Sequence, residues 1–515
     1  MKLNINPVSF QGLDCIDVLV VSYAKFLGRE VSLIFGDSWS FKFNENPLNQ
    51  SDTLGDRIGL NSCNVRNILE KKCGVGVEFT FSVTPNDIMI ILEKELNNGI
   101  PIGIYIDSFY CPWHDRYKQD HGNHYCLAIG LDKNKGIICI DPAFMPDSEG
   151  ILPFDDFVAG SDSYFVFNVS PSVIIDDYKA YFYESLEKIS NSNMFSEIRR
   201  CSEVFGESFD YYVECANIMD NPWWCNLFRK LISISGGRRQ FLEFVDYVSL
   251  KSDLCIPQVI IERFNEVCSK WDVIRFLLVK HNKSGFDDAQ KKKISELMYY
   301  LADEEEEICE MLIRGETTTF ESQTKLIGGS SNSKCTCVNL KPHFNNRAFG
   351  NLSENNSADF TGLTEWYLGD NFEKLRSLKI DRMSFEININ DTMQRYDNIS
   401  CDEQKVKVPQ GRYNSIMILA AAENGDFYST IFLDLFDDSK LELHIKVSDW
   451  TKPSFNEDIA FMTRRVHKYN QKAEIIQGDY GYLYGYKYKI PTDNLIKSIT
   501  LPICPNIHIF AISLV

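Results

Sequence analysis

Three residues in the first third of the chain have side chains that could together perform nucleophilic catalysis. Cys15 lies in FQGLDCIDVLVVSYAKFLG, His124 opens HYCLAIGL, and Asp141 follows GIICI. A thiol acts as a nucleophile near neutral pH when it has a lowered pKa, an adjacent base and hydrogen-bond donors for an oxyanion. We therefore predict a catalytic triad in which Cys15 is the nucleophile, His124 is the base and Asp141 orients the base.

The segment around Cys15 has the apolar spacing of an amphipathic helix that ends near Leu27, with Gly28 after it. A cysteine in the first turn lies at the positive end of the helix, beside backbone N–H groups that have no partner within the helix. These groups could face an oxyanion. Gln11, four residues earlier, could add a side-chain donor to the oxyanion hole.

Whether His124 and Asp141 can meet depends on the register of the hairpin that joins them. A two-residue loop at Lys133-Asn134 places Asp141 opposite Cys126 and makes His124 its diagonal neighbour. Their Cβ atoms would then be about 7–8 Å apart, within reach of long side chains. A three-residue loop would put the two residues on opposite faces of the sheet and exclude the triad.

Other residues compete for each role. His114 and His121 are alternative bases in the loop CPWHDRYKQDHGN, and Asp107 is an alternative carboxylate. His124 could also be an ordinary core histidine, and Asp141 could merely open a turn before a proline. The triad and this structural interpretation both stay open on pattern alone.

Composition excludes several classes of function. The chain has 515 residues, 44% hydrophobic and 24% charged, as expected for a globular protein of two to four domains. A net charge of −19 argues against nucleic-acid binding. No apolar run approaches the roughly 18 residues of a membrane span, and no secretory signal is visible, so we expect a cytoplasmic protein. The 16 cysteines include no CxxC pair and predict mostly buried, reduced thiols without a metal site.

The pattern of elements predicts a multidomain α+β protein. Residues 1–170 mix helices with strands, residues 171–326 are helical, residues 327–336 form a Gly/Ser-rich linker, and residues 337–515 have the short strands of an antiparallel β-sandwich. Runs of charge within the helical region, such as Asp303 to Glu307, are typical of a solvated helix face.

The N-terminal third resembles the family named for the N-terminal domain of butirosin biosynthesis protein H. The likeness lies in FQGLDCIDVLVVSYAKFLGREVSLIFGDSWSFKF, in GIPIGIYIDSFYCPWHDRYKQDHGNHYCLAIGLD and in IICIDPAF. It implies a papain-like domain, related in fold to bacteriocin-processing cysteine peptidases, with Cys15, His124 and Asp141 as its triad. It also places Tyr110, Trp113, Tyr117 and His121 near the substrate.

The same resemblance implies acyl transfer, in which Cys15 takes an acyl group from the phosphopantetheine thioester of an acyl or peptidyl carrier protein. An amine or hydroxyl of a small molecule would then accept it, as in antibiotic biosynthesis, and no other cofactor is expected. A cysteine peptidase or amidase with the same triad is the main alternative, and a non-catalytic scaffold is another. A homo-oligomer is compatible with the sequence.

A carrier protein is acidic, so its docking patch should be basic. The sequence offers three basic doublets, Arg199-Arg200, Arg229-Lys230 and Arg238-Arg239. The C-terminal third resembles β-sandwich modules appended to some glycoside hydrolases. Such modules can bind sugars through exposed aromatic rings, for which Trp366, Trp450 and Tyr482 are candidates.

Overall fold

The chain divides into two compact units. A computed structural model describes residues 2–46, 52–60, 65–215, 225–282, 286–315, 336–352, 358–369, 378–380, 383–385, 396–469, 472–491 and 494–515. The first unit comprises Met1–Ile260 with Met298–Thr317, and the second comprises Ile261–Leu297 with Thr318–Val515. The predicted linker at residues 327–336 lies almost entirely outside the described residues.

A six-stranded antiparallel sheet forms the centre of the first unit, in the order β3-β8-β4-β5-β6-β7. A separate pair, β1 with β2, lies outside it. The strands are β1 (Lys42–Phe43), β2 (Ile58–Gly59), β3 (Val75–Thr80), β4 (Ile102–Asp107), β5 (Asn123–Asp132), β6 (Gly136–Ile140), β7 (Glu149–Leu152) and β8 (Tyr164–Val169).

Local sequence signals determine where the helices of this region begin. The helices are α1 (Cys15–Phe26), α2 (Val65–Ile68), α3 (Pro85–Asn97) and α4 (Phe154–Gly160). Asp14 caps α1 through the amides of Ile16 and Asp17. Thr84 and Asp87 form a reciprocal capping box at α3, with Pro85 in the first turn. The start of α1 is as predicted.

Helices dominate the middle of the chain, which confirms the predicted change of character. They are α5 (Tyr178–Ser190), α6 (Met194–Ser208), α7 (Tyr211–Glu214), α8 (Asn226–Lys251), α9 (Gln258–Asn282) and α10 (Asp288–Arg314). Among the described residues, no helix is long and apolar enough to cross a membrane.

A buried ion pair joins α8 to α10 within the first unit. The guanidinium of Arg238 bonds both carboxylate oxygens of Glu305 at 2.9 and 2.8 Å, and both side chains are fully buried. The indole of Trp39 donates to the same carboxylate at 2.6 Å. The interpretation of the acidic run as a solvated face is therefore wrong at Glu305, and Arg238 cannot form part of a docking surface.

Removal of Glu305 should destabilise the protein strongly, because Arg238 would be left buried without a counter-charge. We expect Glu305→Ala to lower the free energy of unfolding by about 3–5 kcal/mol. Urea unfolding followed by circular dichroism would measure this. Glu310→Ala, which breaks an exposed pair with Arg314 on the same helix, should cost less than about 1 kcal/mol. Equal midpoints for the two variants would contradict the prediction.

The second unit is rich in strands. Eight strands form one sheet, which includes the path β10-β11-β19-β20-β16-β22-β14 with β9 on β22, and four form another in the order β15-β21-β17-β18. Their bounds are β9 (Thr336–Cys337), β10 (Phe349–Gly350), β11 (Glu365–Leu368), β12 (Leu378–Ile380), β13 (Met383–Phe385), β14 (Ile399–Asp402), β15 (Lys405–Gly411), β16 (Ser415–Ala422), β17 (Phe427–Leu435), β18 (Lys440–Val447), β19 (Asp458–Tyr469), β20 (Lys472–Lys489), β21 (Ile496–Thr500) and β22 (Ile503–Leu514). The predicted fold class, an α/β region followed by helices and a β-sandwich, is confirmed.

Candidate active site

The β5–β6 hairpin brings His124 and Asp141 together in the predicted register, with Leu127 opposite Ile140, but through a loop and a bulge that the sequence did not predict. Asp132 pairs with Gly136, so the loop has three residues, the length expected to exclude the triad. A β-bulge between Ala128 and Gly130 then inserts one extra residue in β5, and beyond it Ala128 pairs with Cys139. The bulge restores the parity that the longer loop removes.

The two side chains form a buried hydrogen bond. His124 Nε2 and Asp141 Oδ2 lie 2.6 Å apart, and the side chains are 3% and 0% exposed. A buried carboxylate is stable when it is paired and its oxygens are satisfied. Trp113 Nε1 donates to the same Oδ2 at 2.7 Å, and the amide of Ala143 donates to Oδ1 at 3.2 Å. The carboxylate is thus fixed in orientation.

Trp113, which was predicted to lie near the substrate, therefore contacts Asp141 directly. Its ring fits against β7 because Gly150 lies there, and a Cβ at that position would approach Trp113 Cε3 to 2.5 Å. The indole N–H fixes the carboxylate that in turn orients the base. Trp113 is a positioning residue for the His124–Asp141 pair.

Cys15 is the first residue of α1 and is half-buried. A hydrogen bond between its thiol and His124 contributes to the electrostatics of the imidazole. Since Nε2 of His124 faces Asp141, Nδ1 is the nitrogen left for the thiol. Cysteine, histidine and aspartate thus form a connected group consistent with a cysteine catalytic site.

His124 holds its proton more tightly than an ordinary histidine. Burial disfavours the imidazolium, but hydrogen bonds and charge interactions with Asp141 and Cys15 outweigh it and raise the pKa of His124 to about 10. The imidazole beside the Cys15 thiol is therefore protonated at neutral pH.

The start of α1 offers fewer free donors than we predicted. The carboxylate of Asp14 accepts the amides of Ile16 and Asp17 at 2.9 and 2.7 Å, and the amide of Val18 bonds the Asp14 carbonyl. Of the first-turn amides, that of Cys15 is the one left for an oxyanion. The other first-turn amides already donate to Asp14, the residue that caps the helix.

The negative charges of Asp14 and Asp17, near the Cys15 thiol, are partly neutralised by Arg66. Burial and the neighbouring Asp14 raise the pKa of Asp17 to about 7, while Arg66 opposes the rise. Arg66 Nε lies 3.1 Å from Asp17 Oδ1, and its Nη2 lies 3.4 Å from Asp14 Oδ2. Asp14 therefore offsets the positive end of α1, and His124 is the cationic group hydrogen-bonded to the Cys15 thiol.

Gln11 is exposed, and its backbone carbonyl accepts a hydrogen bond from Gln240 Nε2 of α8 at 2.8 Å. Gly12 follows with φ +84°, and its Cα would be 2.8 Å from a Cβ placed at Gly236. The turn before Cys15 thus rests directly on the backbone of α8. An oxyanion role for the Gln11 side chain stays a prediction.

A second thiol, not singled out by the sequence, lies beside the pair. Cys111 Sγ and the ligand atoms of His124 and Asp141 all lie within 4.8 Å of one another. Cys111 is fully buried, and burial together with Cys126 and Asp141 raises its pKa well above that of a free thiol. It therefore packs as a neutral thiol, which favours Cys15 as the nucleophile. The three groups are a possible ligand set for a zinc-like ion, but Asp141 already accepts three N–H groups.

Two of the three competing residues, His121 and Asp107, form a separate pair, whereas the ring of the third, His114, lies 5.1 Å from that of His124. His121 Nδ1 lies 2.6 Å from Asp107 Oδ2, and the imidazole is 67% exposed and stacks on Phe109. Tyr117 donates to Asp156 at 3.0 Å, and Tyr110 lies under the ammonium of Lys118. Substrate contacts by Tyr110, Tyr117 and His121 stay predictions.

Two of the three aromatic rings predicted to bind sugars are buried in the second unit. Trp366 and Trp450 are 3% and 2% exposed, and Tyr482 is half-buried. The prediction of exposed rings is wrong for both tryptophans because they fill the core of the sandwich. A cavity of about 250 Å³ borders Trp450, lined also by Thr361, Leu363, Glu365, Asn424, Asp449, Thr451 and Arg465.

Comparison with known proteins identifies the C-terminal part alone. Residues 334–515 match the family described as the AziU2-like beta-sandwich domain. No curated protein matches the chain. The β-sandwich is thus supported by sequence family and by structure, whereas the N-terminal α/β region has no family assigned by these comparisons.

The role of Trp113 can be tested through the reactivity of Cys15. Trp113→Phe keeps the ring but removes the donor to Asp141, so we expect alkylation of Cys15 by iodoacetamide to slow roughly tenfold, the equivalent of one hydrogen bond to a charged group. Intact and peptide mass spectrometry would give the rate. Tyr117→Phe, which removes a hydroxyl bonded to Asp156, should react like the wild type. An unchanged rate in Trp113→Phe would exclude the positioning role.

The raised pKa of His124 predicts a pH dependence of stability. The folded protein holds this proton up to about pH 10, whereas an unfolded histidine releases it near about pH 6.5. The stabilisation is complete below the unfolded value and is lost as pH rises through the folded one. We expect Tm to decline from about pH 6.5 to about pH 10 more steeply in the wild type than in His124→Gln. His121→Gln should follow the wild type, and identical slopes for all three would contradict the prediction.

Proposed function

We propose that the chain is a cysteine acyltransferase of the papain-like type. The observation that carries the proposal is the buried His124–Asp141 pair joined to Cys15 at the start of a helix. This arrangement supplies a thiolate, a base held in one orientation, and a backbone donor beside the reacting sulfur.

In the first half-reaction the Cys15 thiolate attacks the carbonyl carbon of a thioester. The oxyanion forms near the Cys15 amide and then collapses, breaking the bond to the leaving sulfur, which takes the proton of His124. In the second half-reaction an amine or hydroxyl attacks acyl-Cys15 while neutral His124 removes its proton. Cys15 leaves as the thiolate, and the imidazolium is restored.

An acyl or peptidyl carrier protein with a phosphopantetheine arm is the proposed donor, and a small molecule is the acceptor. Two of the three basic doublets give little support for docking of the carrier protein. In one of them Arg238 is buried in its pair with Glu305, and in the other both arginines are paired with carboxylates. Arg199 pairs with Asp303 and Glu306, and Arg200 pairs with Glu45 and Glu203. Arg229, an exposed residue beside Lys230, is the doublet position that best fits a carrier protein.

Mass spectrometry of the intact protein after incubation with an acyl thioester tests the proposal. We expect an adduct with the mass of the acyl group, because the thiolate–imidazolium pair should open a thioester. The adduct should vanish in Cys15→Ala and persist in Cys111→Ala. Cys255→Ala, which removes an exposed thiol, is the matched control for non-specific acylation and should also keep it.

Two results would decide against this function. An adduct that persists in Cys15→Ala and is lost in Cys111→Ala would show that Cys111, and not Cys15, is the nucleophile. Cleavage of peptides or amides by the wild type, with no adduct from any thioester and no transfer to an amine, would establish a cysteine hydrolase, in which water rather than an acceptor opens the acyl-enzyme.

A further inference from the structure

Four aromatic side chains form a continuous surface beside the candidate active site. The aromatic row consists of Phe79 near the end of β3, Phe81 just after that strand, Tyr105 from β4 and Tyr125 from β5. Phe79 stacks on Phe81 with ring centroids 5.9 Å apart and meets Tyr125 edge to face at 6.0 Å. Tyr125 meets Tyr105 edge to face at 5.5 Å.

The row has a buried support but an accessible outer surface. Phe165 lies at 5.2 Å from Phe79 and 5.9 Å from Tyr125 and is fully buried. It leans across β4 because Gly103 has no side chain, and a Cβ there would lie 2.0 Å from its ring. Above this support Phe81 is 63% exposed, and the other three rings are half-buried.

The row reaches the nucleophile. Tyr125 follows His124 on β5 and therefore points to the opposite face of the sheet. Helix α1 packs on that face, because Tyr23 of α1 meets Phe167 at 4.4 Å and Phe167 meets Phe165, the support of the row, at 5.4 Å. Burial raises the pKa of Tyr125, and Tyr105, Asp162 and the Cys15 thiol add to the rise, so Cys15 lies within electrostatic range of the phenol. Tyr125 is therefore the ring of the row that lies on the side of Cys15.

The geometry points to a binding site for a planar aromatic group of the substrate, on the acyl side of the carbonyl that Cys15 attacks. Edge-to-face and offset-stacked rings leave room for one more ring in the same array, and such contacts add to the burial of apolar area. A pantetheine arm is a flexible chain of polar amides and would gain less on this surface. The inference deepens the proposed function, since it names the acyl class that the same thiol would accept.

Alkylation of Cys15 tests the row without requiring acyl transfer. The probes are 2-chloroacetamide and N-(1-naphthyl)-2-chloroacetamide, and the rate ratio on the full chain is divided by the ratio on glutathione. We expect the naphthyl probe to be favoured roughly tenfold in the wild type. In Phe81→Ala and Phe81→Leu the preference should fall to about a third or less, while the chloroacetamide rate is unchanged.

Tyr212→Ala is the matched control, because Tyr212 is also an aromatic residue, 62% exposed, on α7. Its preference should equal that of the wild type. No naphthyl preference in the wild type, or an equal preference in Phe81→Ala, would overturn the inference. Full retention in Phe81→Leu would show that any apolar side chain suffices, and would overturn the aromatic specificity.

Thioesters then separate this inference from the proposed function. Benzoyl and acetyl thioesters of N-acetylcysteamine share one arm, so faster acylation by the benzoyl compound reports the acyl group alone. A preference for the naphthyl probe in alkylation, with no acylation by either thioester, would contradict acyl transfer but support the aromatic binding site. Acylation by both at equal rates, with no aryl preference in alkylation, would keep acyl transfer and remove the site.

Discussion

The candidate site depends on one extra residue in β5. Side chains alternate between the faces of a sheet, so the three-residue loop between β5 and β6 would by itself separate His124 from Asp141. The bulge next to Ile129 cancels that offset. The carbonyl of Ile129 accepts the amide of Leu3 at 2.8 Å, so the N-terminal segment satisfies the backbone where the ladder is interrupted.

At the candidate site, burial and the charged partners of His124 have opposite effects on its pKa, and the partners have the larger effect. Burial alone would neutralise His124, yet two hydrogen-bonded partners hold its pKa well above normal. Asp17 behaves differently because burial and Asp14 together raise its pKa to about 7, against the opposing effects of Arg66 and a backbone hydrogen bond. One carboxylate in this region stays paired with the base, while the other titrates near neutrality. The two groups differ in charge state because His124 and Asp17 have different numbers of hydrogen-bonding and charged partners, not because they are buried to different depths.

Local signals made much of the fold predictable. Asp14 before an apolar helical pattern, and Thr84-Pro85 before another, set the starts of α1 and α3. Contacts between distant segments were not predictable, because no short window contains both partners. Arg238 and Glu305 form a buried pair, although each lies in a charged stretch of sequence that is typical of a surface. Trp366 and Trp450 are buried because of how the sandwich closes, which a short stretch of sequence does not show. The bulge likewise has no strong sequence signature.

The contact between Gly12 and Gly236 limits how the chain can be divided. The segment before Cys15 adopts a left-handed turn at Gly12 and meets helix α8 backbone to backbone, with a hydrogen bond from Gln240 to Gln11. Cys15 is therefore positioned by a helix more than two hundred residues further along the chain. A fragment ending before α8 would contain Cys15, His124 and Asp141, yet it would lack the surface against which the turn before Cys15 rests.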